Sequence, residues 1–430
     1  MTLALGLMLG CIVVLTIIGF PVGLALLAGG ALYLLYTNAD VGLLMSQTMY
    51  GLSGNFLALA VPLFIFAAKI MNSGSVSDRL LGFVGAFMGR FRGGLAHVNI
   101  ATSVLFAGMS GSGVADAAGV GTVLYRMMTR DGRYPKGFSA ALTAASATIG
   151  PIIPPSIPMV LYALVSGASI GALFLGGIIP GLFLAVSLGT LVTYLARKHD
   201  FPVERTVSWL ELPKLAVRAF LPLLTPIILL GGIYSGVFTP TEAAAVAAFY
   251  ALILTTLVYR DYGPKHFFGV LVETARESSI VLLLLASTYV FNYILTLERV
   301  PQRIALALSS LDVSSTMLML IIMVIFLMLG AVMDGAVILL VAVPLVLPTL
   351  IANDINLVHF GVVMSVNVMI GGLTPPFGLL LFVLNSLTDA PLREIIRAVW
   401  PFIGLLISCL VIMTFFPQIV TFLPQLFGYR

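Results

Sequence analysis

Long stretches of this chain carry no charged residue, and that fixes what it can fold into. Residues 1–39 and 41–68 contain no Asp, Glu, Lys or Arg, and residues 137–196 run for 60 positions without one. A helix of about 20 apolar residues crosses the ~30 Å hydrocarbon core of a bilayer. Only 9% of the 430 residues are charged and 60% are hydrophobic, whereas a soluble domain carries roughly 25% charged residues. Together with a mean hydropathy of +1.13, this excludes a soluble enzyme, a disordered chain and a fibrous protein, and places nearly the whole chain in a lipid bilayer. The net charge of +4 gives no case for nucleic acid as a partner. Cys11 and Cys409 lie in apolar runs and imply neither a disulfide framework nor a metal site. No basic residue precedes the first apolar stretch, so the N-terminus does not read as a signal peptide.

The charge-free stretches set the spans. Residues 1–39 hold two crossings with a turn at Phe20-Pro21, and 53–71 a third, preceded by an interfacial segment around Met45–Thr48. Further crossings are expected at 137–166, 171–196, 219–236, 241–259, 278–296, 355–388 and 398–424. Residues 201–218 read as a cytoplasmic amphipathic connector. Two stretches behave differently. Between Arg92 and Arg126 lie 33 residues with GMSGSG at their centre (108–113). Two arms of about 15 residues reach only about 22 Å each. With basic residues at both ends, the segment reads as a re-entrant helical hairpin over about 93–125. Residues 313–353 repeat the pattern around GAVMDG at 330–335.

With the N-terminus outside, 18 of the 21 Lys and Arg residues fall on the cytoplasmic side, leaving Arg299, Arg303 and Arg430. That is the bias of the positive-inside rule.

The two halves repeat. TIGPIIPPSIP at 148–158 matches MIGGLTPPFG at 369–378. Pro154-Pro155 lies 221 positions before Pro375-Pro376, and Pro180 lies 221 before Pro401. Pro21 and Pro240 are 219 apart, Asp116 and Asp334 are 218 apart, and Val76 and Val300 are 224 apart. Five crossings per half invert the second half relative to the first. The expected fold is therefore an all-α polytopic membrane protein of two inverted repeats, 1–200 and 219–430, each with a re-entrant hairpin and a broken helix (137–166 and 355–388). That is the build of many secondary transporters.

Paired prolines with nearby glycines break a helix. The backbone they free must find partners or line a polar cavity. Freed carbonyls suit a cation and half-helix N-termini an anion. Candidate cation ligands are Ser110, Gly111 and Ser112 at the first tip, with Thr148 and Gly150 on the first broken helix. In the second half they are Asp334 and Gly335 at the tip, with Asn367, Gly371 and Thr374 on the broken helix. Asp116 and Asp334 are the acids inside apolar spans, where a carboxylate is costly and so a functional candidate. Asp116 could equally brace its hairpin. Ser112, Pro154, Pro155, Ser156, Pro375 and Pro376 are candidates for contact with a transported substrate. Arg299 and Arg303 would sit outside, either as solvated loop residues or to attract a partner or an anionic substrate. Glu242 after Thr239-Pro240-Thr241 reads as a capping box. His97, His199, His266 and His359 lie at span ends and read as interfacial.

At GMSGSGVADAAGVG (108–121), GPIIPPSIPMVLYA (150–163), FTPTEAAAVAA (238–248) and GGLTPPFGLLLFV (371–383) the sequence resembles the large membrane subunit, the M or DctM type, of tripartite ATP-independent periplasmic transporters. The resemblance covers essentially the whole chain. It implies a sodium-driven importer of the ion-transporter superfamily with an elevator mechanism, in the bacterial inner membrane and without a cofactor. It also implies two partners, a small four-helix membrane subunit and a soluble periplasmic substrate-binding protein. Sodium would be held between each hairpin tip and its broken helix, and Ser110, Ser112, Ser156 and Asp334 match polar positions important in the family. Substrates there are mostly carboxylates such as C4-dicarboxylates and sialic acid. A stand-alone ion-coupled anion transporter is the alternative. G-M-S-G at 108–111 also fits an intramembrane serine protease, but no histidine lies mid-span after Ser110 to serve as base. An aspartyl pair would need Asp116 and Asp334 close enough to share a proton, and they lie on hairpins entering from opposite sides. A channel would need a continuous polar pathway instead of paired hairpins.

The charge bias makes a direct prediction. A cysteine replacing Asn353 should react with an impermeant thiol reagent from the periplasm, and one replacing Arg130 should not. The reverse labelling pattern would overturn the orientation.

Overall fold

A computed structural model describes residues 2–72, 74–203, 211–310 and 313–429. The first half begins with α1 (Leu3–Ile17) and α2 (Val22–Tyr36), which turn at the expected Phe20-Pro21. Each has 15 residues, shorter than the allotted crossing. Helix α3 (Gly42–Ser53) meets the run formed by a 3-10 turn (Phe56–Leu59) and α4 (Ala60–Met71) at a bend of 67°. Asn55 caps that run through Leu57 N at 3.2 Å. Helix α5 (Gly74–Met88) lies outside every expected span and hairpin. It exists because Val76, Leu80, Leu81 and Val84 form one buried stripe at helical spacing.

The first hairpin is α6 (Gly94–Ser110), then α7 (Gly113–Asp116), a π turn over Ala117–Gly121, and α8 (Thr122–Thr129). Its second arm therefore ends four residues beyond the expected limit. The broken crossing is α9 (Lys136–Ala147) and α10 (Ile157–Ser166), followed by α11 (Ile170–Lys198).

The second half begins with α12 (Leu212–Tyr234) and α13 (Pro240–Ile253). Of the expected connector at 201–218, residues 204–210 lie outside the described residues, and 212–218 already belong to α12. Helix α14 (Pro264–Leu297) runs 34 residues, starting well before the expected Ser278, and α15 (Val300–Ser309) follows. The second hairpin is α16 (Ser315–Gly330), α17 (Gly335–Val337), a π turn over Ile338–Ala342 and α18 (Val343–Ala352). The second broken crossing is α19 (Leu357–Gly371) and α20 (Leu379–Leu387), followed by α21 (Leu392–Phe415). The span expected over 398–424 breaks at Phe416-Pro417, and α22 (Gln418–Leu426) lies beyond it, packed on α11.

Element order in the halves corresponds: α5 with α15, α6–α8 with α16–α18, and α9–α11 with α19–α21. The two π turns lie 221 positions apart, the offset of the proline pairs. This corrects the pairing of Asp116 with Asp334. At that offset Asp116 corresponds to Val337, whereas Ser112 and Asp334 both cap the second arm of a hairpin.

Helix contacts divide the molecule into two groups. One is α1–α4 with α12–α14, held by α1 on α2, α2 and α3 on α14, and α4 on α13. The other is α6–α11 with α16–α22, held by α9 on α21, α16 on α19, and α11 on α6, α19, α21 and α22. Helix α5 touches α12 of the first group and α6 of the second, while α15 continues from α14 and packs on α18.

Among the described residues, six continuous helices are long and apolar enough to cross a membrane. Three of them start on a side-chain oxygen, Ser169 for α11, Thr239 for α13 and Asp334 for α17, because the first amides of a helix have no partner within it. Thr239 and Glu242 form the expected capping box.

Gly330 and Gly371 are where the second hairpin meets its broken helix. A Cβ on Gly371 would lie 2.6 Å from the Gly330 Cα and 2.8 Å from its carbonyl carbon. Gly371→Ala should therefore cost roughly 1–3 kcal/mol, since the obstacle is backbone. Gly85→Ala, in a helix with nothing within 4 Å of the added methyl, should be neutral or slightly stabilising. Thermal unfolding of the purified variants checks this, and an unchanged melting temperature for Gly371→Ala would refute the contact.

Candidate functional site: two hairpin tips at two helix breaks

Each hairpin tip is built into the break of its neighbouring crossing. Helix α6 ends at Ser110, and Gly111 turns the chain at φ +59°. A Cβ there would sit 2.3 Å from the Pro155 carbonyl oxygen, so only glycine brings the tip this close. The Gly111 carbonyl accepts the Ile157 amide at 3.3 Å, where α10 resumes. Ser112 then caps the second arm by accepting from Ala115 N at 3.3 Å. Gly113 lies against the Ala147 carbonyl, and Gly150 against Ser112. The Pro154-Pro155 peptide is cis, as is Pro375-Pro376.

The side chains around this first break are largely committed. Ser156 is buried, donates to the Pro151 carbonyl and accepts from Met159 N at 3.2 Å, so it caps α10. Thr148 donates to Ala145 O at 2.7 Å. Pro154 and Pro155 are buried. Ser110 is different: it is buried and its hydroxyl oxygen has no hydrogen-bond partner. Asp116, 2% exposed, faces the Ser103 hydroxyl, and neither carboxylate oxygen closes a well-aligned hydrogen bond.

The second break is more open. Asp334 caps α17 by accepting from Ala336 N at 2.9 Å and is exposed, as is Pro376. Gly335 lies against Val368, where a Cβ would meet Cγ1 at 2.2 Å. Thr374 donates to Ile370 O at 2.7 Å. Asn367 donates to Met323 O at 2.7 Å, and its buried Oδ1 has no partner.

One tie recurs with its partners exchanged. In the first half Asn99 sits on the hairpin arm, donates to Thr143 Oγ1 at 2.8 Å and accepts from the Ser146 hydroxyl at 2.7 Å. In the second half the asparagine, Asn367, is on the broken helix, 221 positions after Ser146, and it grips Met323 on the arm, 224 positions after Asn99.

The two breaks are also tied to each other. Tyr162 of α10 donates to Leu357 O at 2.8 Å and fits against Gly361 of α19. Asp389 accepts from Tyr125 of α8 at 2.6 Å and pairs with Lys136 of α9. Lys136 and then Tyr125 hold its carboxyl below the usual range.

Both tips meet at one cavity of about 160 Å³, lined by Gly111, Ser112, Asp334 and Gly335. A second cavity of about 590 Å³ shares Ser112, Asp334 and Ile157 and extends to Lys69, Asn72 and Glu277. Of the sequence candidates, the structure thus gathers Gly111, Ser112, Asp334 and Gly335. Ser110, Thr148, Gly150, Asn367, Gly371, Thr374, Ser156 and the four prolines line neither cavity. Arg299 takes φ +54° before α15, and Arg303 follows one turn on. Both are exposed and line neither cavity. Lys69 and Asn72 were not anticipated. Lys69 ends the charge-free stretch at 41–68, a signal that equally suits a loop cation. His359 corrects an expectation: it is buried, 2.8 Å from the Met413 carbonyl, and not interfacial.

The family model for the DctM component of the tripartite ATP-independent periplasmic transporter matches residues 9–419. The chain is 41% identical to the sialic acid TRAP transporter large permease protein SiaM of Vibrio cholerae, over 96% of each chain. It is 34% identical to the C4-dicarboxylate TRAP transporter large permease protein DctM of the same species, over 99% of this chain and 98% of that one. Its fold resembles the crystal structure of the Alcanivorax borkumensis YdaH transporter, described as having an unusual topology, with a TM-score of 0.62 over 88% of this chain and 89% of that one at 14% identity.

The asparagine tie should be structural. Asn99→Leu removes two buried hydrogen bonds, to Thr143 and Ser146, whose hydroxyls keep only Ser139 O and Thr143 O as acceptors, at a cost of about 1–3 kcal/mol. The melting temperature of the purified variant should fall. A variant as stable as the wild type would show that the tie carries no stability.

Proposed function

The chain belongs to the DctM family of tripartite ATP-independent periplasmic transporters, and from that premise we propose that it imports an organic acid anion across the inner membrane by sodium symport. It is a transporter permease subunit and not an enzyme. The observation that carries the sodium reading is the convergence of two hairpin tips and two helix breaks on one cavity, with buried oxygens left over. Ser110 Oγ behind the first tip and Asn367 Oδ1 behind the second have no partner in the protein. Oxygen donors are what a hard cation takes, and an unpaired buried oxygen is costly unless something binds it. Sodium binds as a transported ion, one at each tip, with Asp334 supplying a carboxylate only at the second.

The substrate class follows from the relatives, which are named for sialic acid and C4-dicarboxylates; both are carboxylates. The partners are a small membrane subunit and a periplasmic binding protein that delivers the anion. The halves are inverted in the membrane, with the N-terminus periplasmic. The group of α6–α11 and α16–α22 travels as an elevator against the group of α1–α4 and α12–α14, with α5 and α15 as its links. The cross-ties of Tyr162 and Asp389 support movement of that group as one body.

Asp334 offers the test. Asp334→Asn keeps size and one oxygen and removes the charge. When the tip closes over the ion, the lost attraction acts in a medium of low dielectric. With the small subunit and binding protein present in proteoliposomes, the half-saturating sodium concentration should rise at least tenfold, or about 1.4 kcal/mol. Added sodium should restore part of the uptake, because ion and substrate binding are linked. An unchanged sodium dependence would remove Asp334 from the site, and uptake without any sodium gradient would remove the symport reading.

A further inference from the structure

The cavity beside the tips holds a single Lys or Arg among the described residues that line it, Lys69. It stands in the last turn of α4, with its side chain 18% exposed. Its Nζ lies 2.8 Å from Glu277 Oε1 and 3.2 Å from Glu273 Oε2, both on α14. An ammonium has three N–H donors, so one remains. The two glutamates are 55% and 69% exposed, and ion pairs to such groups are exchangeable, worth about 0–1 kcal/mol. One turn on, Asn72 lines the same cavity. Its Nδ2 donates to Ala115 O at 3.2 Å, and its buried Oδ1 has no partner. Its amide fills the break in the second hairpin arm at Gly119, which takes φ −81° and ψ −105°. A Cβ on Gly119 would lie 2.1 Å from the Asn72 amide nitrogen.

We propose that Lys69 is the counter-charge for the carboxylate of the transported anion and that Asn72 accepts a hydrogen bond from its hydroxyl or amide. Glu273 and Glu277 hold the ammonium in the cavity when no anion is bound. This rests on the reading of the chain as an organic-anion carrier and narrows it: the substrate is a carboxylate that also bears hydroxyl or amide donors. The charges around the cavity also set an order. Glu273 and Glu277 pair with Lys69 and Asp334 lines the same cavity, so an arriving anion is repelled until sodium has neutralised the tip. Sodium therefore binds first.

Two measurements separate this proposal from the reading beneath it. Sodium-driven uptake by the complete transporter is assayed with N-acetylneuraminate, gluconate and succinate. Uptake of none of these overturns the carrier reading for this class, and the Lys69 assignment with it. Binding of the transported acid and of its methyl ester is then measured by calorimetry on the purified permease with its small subunit, in saturating sodium. The wild type should bind the acid at least tenfold more tightly than the ester. Lys69→Gln should weaken acid binding at least tenfold and leave the ester unchanged, erasing the preference. Lys69→Arg should stay within about threefold of the wild type. Glu277→Gln, which frees a donor and removes a repelling charge, should tighten acid binding, and it keeps the test open if Lys69→Gln fails to fold. Lys69→Gln that keeps its preference for the acid, Glu277→Gln that binds no tighter, or a transported acid that does not bind the permease would overturn the role of Lys69 while the carrier reading stands. Succinate preferred over both hydroxylated acids would overturn the role of Asn72.

Discussion

Hydrocarbon offers no hydrogen bonds, and the architecture follows from that. A helix broken by two prolines exposes amides and carbonyls that water would otherwise satisfy. In this chain the break is met by another piece of broken backbone. The first tip reaches it because Gly111 lacks a side chain, and its carbonyl takes the amide of Ile157 at the point where α10 begins. In the second half Gly330 and Gly371 bring hairpin and broken helix into close backbone contact. The hairpins are short because their tips must stop at the depth of the breaks. The site is thus a consequence of backbone satisfaction before it is a consequence of any ligand.

The two ends of that arrangement are not alike. Ser112 and Asp334 occupy the same capping position, but only one carries charge. The first break is enclosed, with Pro154, Pro155 and Ser156 all buried, while Asp334 and Pro376 are exposed. Of the two tips facing one cavity, one is therefore neutral and the other charged.

Much of this was legible in the sequence, because membrane spans, hairpins and helix breaks leave coarse marks: absent charge, clustered glycine, paired proline. The amphipathic α5 was missed because the run Ser75, Ser77, Asp78 and Arg79 makes its start resemble a loop, and α22 because no charge separates it from α21. Aligning Asp116 with Asp334 failed because two acids in apolar surroundings attract attention regardless of register. The π turns, which show the true offset, have no residue signature. Lys69 stands at the edge of a charge-free run, where sequence gives charge but not direction. Only its position beside the tips distinguishes it from the other basic residues at the ends of the spans. The unpaired oxygens of Ser110 and Asn367 were among the residues named, but what sets them apart from Thr148 and Thr374 is the absence of a partner, a three-dimensional property.

The exchanged asparagine has an evolutionary corollary. Asn99 and Asn367 secure equivalent joints from opposite sides, so each half has its own solution to the same mechanical problem. Transplanting one half's residue into the other would introduce a second asparagine at one joint or remove the last from the other. Either single step is a valley, and drift between the solutions requires paired changes. Halves locked in this way are not free to exchange residues with each other. The internal resemblance that survives in such a chain should therefore be concentrated in prolines and glycines, whose backbone duties have no substitute, and should fade among the polar side chains that merely fasten the parts.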